Sequence, residues 1–174
     1  MSSIHFNADE VLGIAEQIER NGAFFYRKAA EVVADPDGRK LLKDLAAWEV
    51  GHEQTFVQMR RRLSAEASRP ETFDPEGDAA KYLRAFADGH VFNVNAQDPS
   101  KFLEGARTLP EILREALKRE HDAIVFFTTM RELVPETHGR NEVQAVISEE
   151  VQHVFQITRL LCDTDARAGG RHSV

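Results

Sequence analysis

Apolar residues recur along this chain at helical rather than strand spacing. A first stripe runs through Leu12, Ala15 and Tyr26. A second runs through Leu42, Leu45, Phe56, Met59 and Leu63. A third takes in Leu113, Ala116, Ala123 and Phe127, and a fourth Val143, Val146, Ile157 and Leu160. Steps of three and four keep each set on one helix face. The pattern predicts four main helices, at about 9–34, 38–67, 109–134 and 140–165. Few segments read as strands. Asn7 or Asp9 is a cap candidate for the first helix, with acidic residues in its first turn. Asp35-Pro36-Asp37-Gly38 reads as a tight turn, and "VPETHGRN" as the break before the fourth helix. Pro110 suits the first turn of the third helix. The tail, 166–174, reads as frayed.

Residues 68–108 separate helices two and three and include a shorter helical piece at 79–88. A structureless loop of that length is out of place in a compact domain. A crossover running the length of a bundle accounts for it, since a helix of about 25 residues is roughly 38 Å long. Residues 1–174 therefore read as one all-α domain, a four-helix bundle with two short turns and one long crossover.

Each apolar stripe is interrupted by groups that do not belong in a core. Glu19 breaks the first, Glu49 and His52 the second, Glu120 the third, and Glu150 and His153 the fourth. The interruptions repeat. Glu19 precedes Glu49 by 30 residues, and Glu120 precedes Glu150 by 30. The two halves are offset by 101 residues, and the same offset sets Tyr26 against Phe127.

A buried carboxylate costs several kcal/mol unless it is paired or coordinated. Two metal ions supply the reason for four of them. A Glu and a His at i and i+3 point the same way from a helix, so each Glu-x-x-His pair can grip one ion. The remaining glutamates add carboxylates and can bridge. Four carboxylates also balance two divalent ions. Oxygen and imidazole donors without thiolate suit iron or manganese. The arrangement matches the inward-facing ligand pattern of di-iron bundles.

Composition narrows the picture further. The net charge of -7 argues against nucleic acid and against an anionic membrane as partners. No apolar run approaches the ~20 residues of a membrane span. The N-terminal segment lacks the basic and apolar run of a signal peptide. A single cysteine, Cys162, forms no internal disulfide and no metal knuckle, and reads as a structural thiol. The expected setting is the cytoplasm.

With these residues in view, the chain resembles the rubrerythrin group of the ferritin-like superfamily. "IERNGAFFYRKAAE", "LAAWEVGHEQTF" and "ISEEVQHVFQI" carry the resemblance, which covers about residues 9–165. It implies two iron ions per chain, cycling between Fe2+ and Fe3+, held by Glu19, Glu49, His52, Glu120, Glu150 and His153, with manganese or zinc as substitutes. It implies reduction of hydrogen peroxide or dioxygen, with Tyr26 beside the metals and hydrogen-bonded to their carboxylates. It also implies a homodimer rather than a large shell. The chain departs from the group in two respects. With one cysteine it has no rubredoxin domain, so electrons must come from an external donor. Ala123 stands where rubrerythrins carry an extra glutamate, with Gly22 opposite, which lowers the weight on peroxidase chemistry and leaves small residues beside the metals. The rival expectation is a ferroxidase or iron-handling protein with Fe2+ as substrate.

The neighbouring polar residues read more plainly. Glu16, Glu53 and Glu149 sit about 100° round their helices from the ligands, as solvated or supporting carboxylates. His121 reads as surface, His90 and His138 as connector residues. Trp48 is expected between helices or at a subunit contact, and Phe24, Phe25, Phe126 and Phe127 in the core.

Overall fold

The computed structural model describes residues 8–62, 101–105, 107–134 and 140–169. Four long helices account for most of them: α1 (Ala8–Val32), α2 (Pro36–Arg62), α3 (Leu109–Leu133) and α4 (Arg140–Gly169). A 3-10 turn, Lys101–Leu103, precedes α3. No strand occurs among the described residues. The last residues expected of helix two (63–67), the helical piece at 79–88 and most of the crossover lie outside the described residues, as do Asn7, Leu63, His90 and His138.

The helices pair as α1 with α2 and α3 with α4, and contacts of α2 with α4 and of α1 with α3 close the bundle. Its axis is filled by the stripes read from the sequence. Phe25, Tyr26, Phe56, Phe126 and Phe127 are fully buried. The Phe56 and Phe127 rings stack at 5.2 Å between centroids, and Phe126 meets Phe127 edge-on. Burying a side chain of this size is worth roughly 1.5–3 kcal/mol. Phe24 faces outward and is exposed, unlike its three aromatic companions.

The helix ends explain where the elements start and stop. The Asp35-Pro-Asp-Gly stretch, expected as a free-standing turn, is the start of α2. Asp35 accepts a hydrogen bond from the Gly38 amide (2.8 Å), Pro36 opens the helix, and the carbonyl of Asp35 takes the Arg39 amide at 2.9 Å. At α3 the cap is Thr108, whose hydroxyl accepts from the Glu111 amide while the Glu111 carboxylate accepts from the Thr108 amide (2.8 Å). This reciprocal box is written in the sequence as Thr108-x-x-Glu111 ahead of an apolar run. Cys162 is exposed rather than packed inside the fold. α4 continues to Gly169, four residues past its expected end, because nothing from Ala166 to Ala168 opposes a helix.

The repeat extends beyond the stripes. The Arg39 guanidinium donates to the carbonyl of Val33 (2.9 and 3.1 Å), and that of Arg140 donates to the carbonyl of Val134 (2.8 Å). Both members of each pair are offset by 101 residues. Each arginine opens the second helix of its pair and ties back to the end of the first.

Candidate metal centre

All six interrupting residues meet in the middle of the bundle. Glu19 comes from α1, Glu49 and His52 from α2, Glu120 from α3, and Glu150 and His153 from α4. Each is at most 3% exposed. They form two overlapping groups. Glu19, Glu49, His52 and Glu150 make one, and Glu49, Glu120, Glu150 and His153 the other, each offering donor atoms within 4.8 Å of one another. Glu49 and Glu150 belong to both.

The atoms divide between the two sides. His52 Nδ1 lies 2.9 Å from Glu150 Oε1, 3.6 Å from Glu19 Oε2 and 3.7 Å from Glu49 Oε2. His153 Nδ1 lies 3.0 Å from Glu150 Oε2, 3.6 Å from Glu120 Oε2 and 3.9 Å from Glu49 Oε1. The two imidazoles stack at 5.4 Å between centroids. Glu49 and Glu150 are therefore placed to bridge, and Glu19 and Glu120 to serve one side each.

The residues fit a pair of metal ions by a direct test. Glu19 Oε1, Glu49 Oε1 and Glu120 Oε2 are buried and accept no hydrogen bond, while Glu150 Oε1 and His52 Nδ1 face each other at 2.9 Å. Three buried carboxylate oxygens without a donor, in the two groups that share Glu49 and Glu150, run against the rule that buried polar groups are satisfied, unless cations take their lone pairs.

Without cations, protons must do part of the same work. Burial pushes the Glu19 carboxyl up and that of Glu49 well up, the Glu19 carboxylate adding to the shift at Glu49. Burial and the charge of Glu150 push Glu120 up to about 8. Burial would raise Glu150 too, but hydrogen bonding to His153 and His52 outweighs it and holds Glu150 low. Burial alone would lower both histidines, yet the carboxylates around them win. His153 is pushed up to about 10 and His52 higher still.

The supporting residues are unequal on the two sides. His52 Nε2 is 3.0 Å from Glu149 Oε2. That contact fixes the proton on Nε2 of a neutral His52 and leaves the Nδ1 lone pair facing the carboxylates. Trp48 lies flat on the His153 ring, 5.1 Å between centroids and 17° between planes. The Tyr26 hydroxyl donates to Glu120 Oε1. Burial and the charge of Glu120 push its pKa well above 10, so it keeps its proton. Glu53 pairs with Arg20 (2.7 Å) and Glu16 with Arg60 (3.6 Å), away from the centre. His121 is exposed, and Gly22, Ala23 and Ala123 are buried.

No family model matches the sequence, and no curated protein matches it. Among solved structures, the chain is similar to a 2.30 Å crystal structure of a candidate ferritin-like diiron-carboxylate protein from Thermotoga maritima. The two share 19% identity over 94% of this chain and 99% of the other, with a TM-score of 0.71. The likeness establishes a ferritin-like four-helix fold. Among the described residues, no helix is long and apolar enough to cross a membrane.

Proposed function

We propose that this chain is a non-haem di-iron oxidoreductase of rubrerythrin type, reducing hydrogen peroxide or dioxygen with electrons from an external donor. The observation that carries the reading is the pair of overlapping Glu/His groups sharing Glu49 and Glu150. The description of the Thermotoga maritima protein as a diiron-carboxylate protein supports the choice of metal. So does a donor set of oxygen and imidazole with no thiolate. On this reading Glu19 and His52 hold one iron, Glu120 and His153 the other, and Glu49 and Glu150 both. When bound, the irons supply electrons and Lewis acidity to a small oxidant.

The chain's own residues set the conditions for that chemistry. Phe56 and Phe127 pack in the apolar core and help keep bulk water out. Glu149 holds the His52 ring with its Nδ1 inward. Tyr26 keeps a proton at its hydroxyl, next to Glu120. Reduction of hydrogen peroxide to two waters consumes two protons and two electrons. The Tyr26 hydroxyl keeps its proton and acts as a hydrogen-bond donor that positions a carboxylate of the centre, so the two protons come from elsewhere.

A second reading is favoured by Ala123, a small buried residue where rubrerythrins place a further glutamate. It is a ferroxidase or iron-handling role, with Fe2+ as the substrate. Turnover separates the two. Iron-loaded protein mixed with hydrogen peroxide and excess reductant should consume many equivalents of peroxide and keep its metal. Release or accumulation of iron, with oxidant used only in proportion to iron, would establish the second reading instead.

A further inference from the structure

The two halves of the centre match in their six inner residues but not in the residues behind them. The offset of 101 residues that relates Glu19 to Glu120 also relates Trp48 to Glu149, and Tyr26 to Phe127. On the Glu19 side, the Glu149 carboxylate reaches His52 Nε2 at 3.0 Å. In the place of Glu149, the other half puts the indole of Trp48, which packs flat on His153. An indole donates one hydrogen bond and accepts none, so it cannot hold an imidazole N–H as a carboxylate does. On the Glu120 side, one carboxylate oxygen is also engaged by the Tyr26 hydroxyl. The counterpart of that tyrosine, Phe127, has no hydroxyl to offer and instead stacks on Phe56.

Both differences act in one direction. A carboxylate behind a ligating histidine orients the ring and raises its basicity, and losing one typically costs 10- to 100-fold in metal affinity. A carboxylate that accepts a hydrogen bond at one oxygen, here Glu120 Oε1, has less electron density to give a cation at the other, the Oε2 that faces His153. We propose, resting on the two-metal reading above, that the two metal positions are inequivalent. The Glu19/His52 position fills first, with Glu149 as its positioning residue, and the Glu120/His153 position fills second. Chains can then carry one ion on the Glu19 side, and the second, weaker position is the one that gains or gives up iron as its supply changes.

The protein carries its own reporter, because Trp48 is the single tryptophan and stacks on the histidine of the second position. The test is an anaerobic titration of the metal-free protein with Fe2+, followed together by calorimetry and tryptophan fluorescence. Two calorimetric steps are expected. The first should leave Trp48 emission nearly unchanged and the second should quench it. Glu149→Gln should weaken the first step by roughly tenfold or more. It should leave the midpoint of the quench within about twofold. The Glu149 side chain is 58% exposed, so this variant should fold as the parent does. In Trp48→Glu, read by calorimetry alone, the second step should tighten toward the first. Quenching with the first equivalent, a single step for both ions, or a Glu149→Gln titration like the parent's would overturn the inequivalence while leaving two-metal binding intact. Failure of the parent protein to bind Fe2+ at all would overturn the two-metal reading itself.

Discussion

Glu49 and Glu150 each turn one carboxylate oxygen toward His52 and the other toward His153. Their positions are matched but their electrostatics are not. Glu49 is held above the ordinary carboxylate value and Glu150 below it. The difference separates what each residue does for the fold from what it does for a metal.

In the metal-free protein, burial favours the neutral, protonated form of Glu49, and a glutamine of the same shape replaces it with little change. Glu49→Gln should alter metal-free stability by less than about 1 kcal/mol. Glu150 is the anion that His52 and His153 share. Glu150→Gln should destabilise the metal-free protein by about 3 kcal/mol, because it leaves buried imidazolium charge uncompensated. Both variants should lose the stabilisation that Fe2+ gives the parent protein. Urea denaturation with and without anaerobic Fe2+ measures all four quantities. Equal effects of the two variants on the metal-free protein would contradict the assignment.

The pH dependence of metal-free stability follows from the raised groups. Glu120 is lifted from 4.5 to about 8, and His153 from 6.5 to about 10. In each case the folded state keeps a proton that the unfolded state has already lost. Stability should therefore fall as pH rises, through Glu120 between 4.5 and about 8 and through His153 between 6.5 and about 10. Glu150, held low, contributes stability that is lost only in acid. Metal displaces the same protons, so stabilisation by Fe2+ should grow over the window in which the metal-free protein weakens. Melting curves of both forms from pH 6.5 to about 8 show the effect, and a metal-free Tm that rises across this range would contradict it.

Tyr26→Phe converts the first half to the residue the second half carries at Phe127. It leaves a buried oxygen of Glu120 without its donor. The expected cost to the metal-free protein is about 1–3 kcal/mol. Loading with metal should recover part of that cost, because a cation takes up the freed lone pair. Thermal melts of parent and variant, each with and without metal, give the difference directly.

Arg39 and Arg140 close the two helix pairs by the same bond to the preceding helix end. Arg39→Ala and Arg140→Ala should each cost about 1 kcal/mol. The double variant should cost their sum, since the two arginines tie back to the ends of different helices, at Val33 and Val134. Denaturant midpoints of the three variants check both the size and the additivity. A coupled loss would mean that the two turns do not act as independent copies.

The arrangement of helices and the six inner residues were legible because burial imposes a strict period. A charged residue on a three-four stripe stands out, and its recurrence after 101 residues stands out more. The supporting residues were less legible for the same reason. Glu149 lies off the stripe, so helical phase assigned it to solvent or to a supporting role without naming its partner. Its contact with His52 joins α2 to α4 across 97 residues, a relationship no local pattern encodes. Asp-Pro-Asp-Gly satisfies turn chemistry and N-cap chemistry equally well, so the sequence starts α2 at about Gly38 where the structure starts it at Pro36. The Asp35 carboxylate on the Gly38 amide decides it. The Thr108-x-x-Glu111 box was present in the sequence and marks the first residue of α3 without any tertiary information.

The most direct test is metal content after anaerobic loading with Fe2+ and desalting, for the parent protein, Glu49→Ala and Glu150→Ala. Close to two irons per chain in the parent, and less than one in either variant, is the expected result. Less than one iron per chain in the parent, unchanged by either substitution, would contradict the central claim that the six residues form a two-metal centre.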